Sequence, residues 1–188
     1  MTKSGLRVVV PPDRPGVFRC AYSLLGASRI ARFVSRHVNW KLDPVLLRVS
    51  RGRLSSTLMV RSQVLETTGA STGLRRRNAV IYFHDGTAVF VIASNAGAAA
   101  NPAWFHNLRV HPDVLLAGQP MRATVIADGV ERRRLEALGD RVFPTFATYR
   151  REAAAAGRTI PVVRLDPVDA TNVEASDASE SSPRTNRV

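Results

Sequence analysis

The sequence predicts an α+β chain in which short, mainly antiparallel strands close into a barrel and helices are appended. Three observations point there. Beyond residue 52 the apolar stretches are short and alternating or β-rich. They are joined by hairpin-sized turns, of which Asp85-Gly86 is the clearest. Too few helical stretches stand between them to supply the crossovers of a doubly wound parallel sheet.

Residues 1–15 are polar and proline-containing and are expected to form a flexible N-terminal segment. Residues 16–168 make up the predicted domain, with 16–52 as a helical N-terminal region. In residues 17–40, Phe18, Tyr22, Leu25, Phe33 and Val34 define an apolar stripe, while Arg29, Arg32 and Arg36 recur at helical spacing on another face. Residues 42–49 add a short helix entered at Asp43-Pro44. Residues 58–68 alternate and stop at Gly69, as a strand does. Residues 79–83 and 88–93 are the two arms of the Asp85-Gly86 hairpin, where glycine accepts the positive φ of a tight turn.

Asn101-Pro102 opens a helix, with Asn as the cap and Pro at the first helical position. It runs through Trp104, Leu108 and Val110 to His111-Pro112. Residues 114–117 and 121–127 are the next strands, joined at Gly118-Gln119. A basic amphipathic helix follows over 130–141, then a helix over 143–156 broken at Pro144. Residues 160–165 form the last strand, closed by Asp166-Pro167. Residues 169–188 are rich in Ser, Asp, Asn and Thr with almost no apolar anchor, and are expected to be a disordered tail.

The chain has 188 residues, 45% of them hydrophobic, which suits one domain with a real core. Its 27 Lys+Arg against 15 Asp+Glu give a net charge of +12, nearly all of the positive charge being arginine. Such a balance favours anionic partners, whether a nucleic acid, a membrane surface or a phosphorylated or carboxylated ligand. Cys20 is the single cysteine, so no disulfide framework or cysteine metal site arises within one chain. No secretory signal and no run of about 18 apolar residues is present, so a soluble or peripheral protein is expected. His37, His84, His106 and His111 do not fall at metal-ligand spacings, and no phosphate-binding loop, dinucleotide fingerprint or nucleophile elbow occurs.

Two stretches are candidate binding elements. Residues 67–73 form a Gly/Ser/Thr turn followed by Arg75, Arg76 and Arg77. Its N–H groups could make an anion nest with the arginines as a clamp, or it is a plain turn before a solvated charge run. Ser94-Asn95-Ala96-Gly97 is either a loop that lets backbone approach a flat ligand or an ordinary connection. Trp104 and Phe105 read first as core, and Asn107 as facing solvent or ligand.

Leu65-Glu66-Thr67-Thr68-Gly69, then Gly73, Arg76, Tyr82 and Asp85-Gly86, with Ala93-Ser94-Asn95-Ala96-Gly97, Asn101-Pro102-Ala103-Trp104-Phe105-His106-Asn107-Leu108 and Arg158-Thr159-Ile160-Pro161-Val162-Val163, together resemble the deazaflavin (F420)-dependent nitroreductase and quinone reductase family. That resemblance implies a split β-barrel of the FMN-binding split-barrel-like kind. It implies hydride transfer from reduced coenzyme F420, rather than FMN, to an electron-poor acceptor such as a quinone or nitro compound. The coenzyme would carry the chemistry while the protein positions it and excludes water.

The resemblance puts the coenzyme contacts at Ser71, Thr72, Gly73, Arg76, Ala79, Val80, Ile81, Ala93, Ser94, Asn95, Trp104 and Asn107. In the segment that is tyrosine-rich in some members, only Tyr149 keeps a hydroxyl, between Phe143 and Phe146 on one side and the helix end on the other, so any protein acid rests on it. The sequence departs from the family pattern at Ala70 and Ser71, where basic residues are usual, at Ala79 in place of Pro, and at Asn95 where some members have Lys. Each charge-assisted hydrogen bond lost at the turn weakens binding by ~1.5–3 kcal/mol.

A diverged lipid- or flavin-binding protein on the same fold is the competing expectation. Arg19, Arg29, Arg32 and Arg36 with Phe18, Phe33 and Trp40 could also form a helix at an anionic membrane, or simply cover the barrel. The expected location is cytoplasmic, with peripheral attachment to the inner face of the membrane. Nucleic acid is not an expected partner, and the oligomeric state is left open.

Overall fold

The computed structural model describes residues 6–12 and 61–168. The helices expected over 17–40 and 42–49, the start of the strand expected from 58, and the tail at 169–188 lie outside the described residues.

Six antiparallel strands close into a barrel in the order β1-β2-β3-β6-β5-β4. They are β1 (Ser62–Thr68), β2 (Arg75–Asp85), β3 (Ala88–Ile92), β4 (Asp113–Leu116), β5 (Gln119–Val125) and β6 (Val162–Pro167). Helix α1 (Ala103–Val110) joins β3 to β4, and helices α2 (Gly129–Val142) and α3 (Thr145–Ala155) join β5 to β6. The chain is thus the α+β antiparallel barrel with appended helices that its sequence predicts.

The barrel is split at β2. This strand is 11 residues long. Its first part pairs with β1, from Thr68↔Arg75 to Ser62↔Ile81, while only residues 82–85 pair with β3. At Ala93 the chain leaves the ladder, and the Ala93 N–H donates to Pro161 O at 2.9 Å. Among the described residues, no strand pairs with the β3-side edge of β2 over residues 75–80.

Strand alternation divides the apolar residues into two cores. Val80 and Tyr82 point inward with Leu65, Val91, Leu116, Val163 and Leu165, and Trp104 and Leu108 of α1 close over them. Phe83, Phe90 and Ile92 point outward and meet Leu135 and Val142 of α2 and Phe146, Tyr149 and Ala153 of α3. Each such large apolar side chain contributes ~1.5–3 kcal/mol on full burial. Helix α2 lies flat on the barrel because residue 139 is glycine; a Cβ there would stand 2.5 Å from Ile92 Cδ1. Asp128 caps α2, its Oδ1 accepting the Glu131 N–H at 2.7 Å. Arg150 of α3 holds Asp140 of α2 with both arms of its guanidinium.

Several local expectations give way to long-range contacts. Residues 6–12 are docked, not loose: Leu6 and Val9 pack on the inner core. The His84 N–H donates to Val9 O at 2.7 Å, the Val9 N–H donates to His84 Nδ1 at 3.1 Å, and the Tyr82 hydroxyl donates to Arg7 O at 2.8 Å. Burial raises the Tyr82 pKa and keeps that donor protonated. Arg75, Arg76 and Arg77 are exposed, as a solvated run would be, but they also form the start of β2, paired with β1. Asn101 does not cap α1. Pro102 holds the cap position, and the Asn101 carboxamide is taken by Arg158. The turn expected at Gly118-Gln119 is made by Ala117-Gly118, at φ 53° and 80°. The last strand begins at Val162, two residues late, because Ile160 is spent on the outer core.

Candidate active site

The first element is the turn between β1 and β2. Most of its backbone donors are already engaged. The Gly69 N–H donates to Leu74 O at 2.9 Å, Thr72 and Gly73 both donate to Gly69 O, and Leu74 donates to Thr72 Oγ1. The Ala70 N–H donates to Asn107 Oδ1 at 3.0 Å. Of the two readings the sequence left open, these bonds favour the plain turn: the N–H groups of Gly69, Ala70, Thr72, Gly73 and Leu74 hold its shape, and Ser71 and Thr72 are exposed at its tip.

Asn107 is the residue that ties α1 to this turn. It is buried, and besides accepting from Ala70 it donates through Nδ2 to Thr67 Oγ1 at 3.0 Å. It faces neither solvent nor an open site, as the sequence left possible, but spans two elements of the fold.

Register separates the three arginines. Directly paired residues of an antiparallel ladder share a face. Arg77 lies opposite Glu66 and donates to it at 3.0 Å on the outer face. Arg76 lies opposite Thr67, so it shares the inner face with the buried Thr67 hydroxyl at the barrel mouth. Its Nε also stands 3.8 Å from the point a Cβ of Gly69 would occupy, so the guanidinium overhangs the turn. Arg75 shares the outer face with Arg77.

The second element is loop 93–101. Arg158, from the connection between α3 and β6, donates to Ala93 O at 3.2 Å, Ser94 O at 2.5 Å and Asn101 Oδ1 at 2.7 Å. Asn95 Nδ2 donates to Ala100 O at 2.9 Å. Asn95, Ala96 and Gly97 all have positive φ, at 48°, 49° and 73°. Gly97 lies against α3 so closely that a Cβ would come within 2.6 Å of Glu152 Oε2 and 3.2 Å of Tyr149 Cα.

The gap beside β2 lies between these elements. The His84 N–H reaches Val9 on the β1 side. Alternation then turns the N–H and C=O of Arg77 and Ala79 toward the open edge.

The expected contact residues do not all share one surface. Ser71, Thr72, Gly73 and Arg76 cluster at the turn. Ala93, Ser94 and Asn95 form the start of the loop. Of the three consecutive β2 residues, the Val80 side chain is buried in the inner core, whereas Ala79 and Ile81 point to the other face, so their side chains cannot line one site together. Any approach there is to backbone. Trp104 is 7% exposed and Asn107 is 8% exposed, which makes them a core residue and a brace. Tyr149 is also buried and packs 6.3 Å from the Phe143 ring in the outer core, behind the loop, as Phe143 and Phe146 do. Thr67, Asn101 and Arg158 were not among the expected residues. Arg158 opens the last matching motif, but its partners lie 57 to 65 residues away and no local pattern exposes them. Among the described residues, no group of three His, Cys, Asp or Glu side chains is placed to hold a metal.

Comparison with known proteins bears on this geometry. The family model described as F420H(2)-dependent quinone reductase matches residues 41–167. An F420H(2)-dependent quinone reductase of Mycobacterium tuberculosis is 35% identical over 107 residues, covering 54% of this chain and 72% of that one. A counterpart in Mycobacterium bovis matches at the same identity and coverage. Among solved structures, one described as a domain-swapped dimer superposes with a TM-score of 0.50 at 22% identity, over 67% of this chain and 99% of that one, and shares the fold.

Proposed function

The chain belongs to the F420H(2)-dependent quinone reductase family, and we infer from that membership that it is an oxidoreductase using reduced coenzyme F420 to reduce quinones. The competing reading, a non-catalytic binding protein on the same fold, has no comparison in its favour.

One observation supports a site beside β2. The edge of β2 over residues 75–80 is unpaired among the described residues, and it is bordered by a clamped loop on one side and by Arg76 with a polar turn at one end. A flat ring with hydrogen-bonding edges fits against the exposed peptide groups of Arg77 and Ala79, and a phosphate-bearing tail fits the guanidinium of Arg76 and the hydroxyls of Ser71 and Thr72. Ser94 and Asn95 border the ring position from the loop. When bound, reduced F420 supplies the hydride that the quinone accepts.

The protein's own part is positioning. Arg76 neutralises anionic charge at the mouth. The turn, braced by Asn107, keeps Ser71 and Thr72 in place. The buried inner core gives the ring a rigid floor. Tyr149 supports the loop from behind, and we do not assign it the role of proton donor.

Nitro compounds are a second acceptor class on this reading. Attachment to an anionic membrane, at the inner face of a cytoplasmic location, draws its support from the +12 charge and the arginine-bearing stretch 17–40. Among the described residues no helix is long and apolar enough to cross a membrane.

The test is a fluorescence titration with oxidised F420, with FMN for comparison, followed by oxidation of F420H2 with menadione as acceptor. Micromolar F420 binding and quinone-dependent turnover are expected. FMN binding in its place, or no F420 binding at tens of micromolar, overturns the assignment.

A further inference from the structure

We propose that Arg158 is a positioning residue for hydride transfer, acting through loop 93–101. This rests on the site proposed above. Three observations carry it. One guanidinium holds both ends of the loop: Nη1 bridges Ala93 O and Asn101 Oδ1, and Nη2 holds Ser94 O. The loop is built from residues that do not hold their conformation unaided, with Asn95, Ala96 and Gly97 in succession at positive φ. Backbone held in such regions persists where its surroundings over-determine it. Finally, the loop starts where β3 leaves β2, so its path sets the width of the open gap.

Arginine is the side chain suited to this task. Its planar fork offers several donors in fixed directions, whereas a lysine ammonium is a point charge on a flexible stem and cannot reproduce three bonds at set angles. The grip is reinforced from α3, which meets Gly97 with no room for a side chain. Asn95 Nδ2 closes the inside of the loop on Ala100 O. The bonds described for Arg158 go to the loop and not to the gap-side backbone of β2. Its effect on the reaction passes through Ser94 and Asn95.

The experiment uses the full chain and the variants Arg158→Lys, Arg158→Met and Asn101→Leu. It measures kcat and KM for F420H2 and menadione, F420 affinity by fluorescence, and the melting temperature. A misplaced reacting geometry costs up to about 100-fold in rate. Arg158→Met is expected to lower kcat by about 10- to 100-fold per folded molecule. Its loss in F420 affinity should be smaller, because the anionic tail is held at the other end of the site. Arg158→Lys should fall between parent and Met. Asn101→Leu, which removes one of the loop's bonds to Arg158, should show a smaller loss of the same kind.

Folded Arg158→Met with kcat and KM like the parent overturns the proposal. So does a loss of activity that merely tracks the fraction folded. If Arg158→Met does not fold, Asn101→Leu decides by the same criteria. A parent protein that fails to bind F420 at all defeats the site assignment itself, which is a distinct outcome.

Discussion

The side chains of Asn107 and Thr67 meet inside the protein, with Asn107 Nδ2 donating to Thr67 Oγ1 at 3.0 Å. Because the same carboxamide accepts the Ala70 N–H, one residue of α1 fixes the end of β1 and the turn after it together. Asn107 is therefore a brace between α1, β1 and the turn.

Asn107→Leu should leave both Thr67 Oγ1 and the Ala70 N–H without their partners. A buried polar group left unpaired costs about 1–3 kcal/mol. Urea unfolding should show a loss of that order, and F420 affinity should drop as the turn loosens. Thr67→Val, which strands only the Asn107 donor, should lose less on both measures. Equal affinity in all three proteins would remove Asn107 from the account of the site.

Arg76 and Arg77 are neighbours in sequence with opposite assignments. Arg76→Gln should weaken F420 binding about 10-fold or more, the scale of one charge-assisted hydrogen bond, and should flatten its dependence on salt. Arg77→Gln should leave binding nearly unchanged, since Arg77 is committed to Glu66 on the other face. Fluorescence titrations at low and moderate salt compare the two directly.

Ser71 stands exposed at the tip of the turn, where the family pattern in the sequence implies a basic residue. Ser71→Arg should tighten F420 binding by about 10-fold if the turn holds the anionic tail. No gain, or a loss, would move the tail away from the turn.

Tyr149→Phe should keep kcat within about two-fold, because a group acting as general acid contributes ~100-fold or more and Tyr149 is buried behind the loop. A large fall in kcat with unchanged F420 affinity would restore the acid role.

His84 makes the docking of residues 6–12 sensitive to pH. Burial pushes its pKa below the ordinary histidine value. Its Nδ1 accepts from Val9, which requires the neutral ring. A depressed histidine pKa means that the unfolded chain takes up the proton first. The stability is fully present above the ordinary histidine range and is lost as pH falls through it toward the folded value. Melting temperature should decline from pH 7.5 to about 5, and His84→Gln should flatten part of that decline.

The elements legible in the sequence are those whose cause is local. The Asp85-Gly86 signal marks a real hairpin, whose two turn residues are Gly86-Thr87, with Asp85 paired to Ala88 and Gly86 at φ 60°. Helix α2 announces itself by its amphipathic periodicity. What was missed depends on partners far away in the chain. Asn101 has the chemistry of a helix cap, and nothing nearby reveals that Arg158 takes its carboxamide. The Arg75 to Arg77 run looks solvated and is exposed, but only its pairing with β1 distinguishes the arginine on the inner face from the two on the outer. Residues 6–12 look loose because the groups that anchor them, Tyr82 and His84, come some 75 residues later.

The open edge of β2 also bears on how copies of the chain meet one another. An uncovered strand edge is a template for self-addition and, through it, for aggregation. Among the described residues, the stretch of β2 with no strand on its β3 side begins with three consecutive arginines. A second copy adding its own β2 along this edge would bring two arginine runs into the same short ladder. Like charge thus stands against self-addition at this edge.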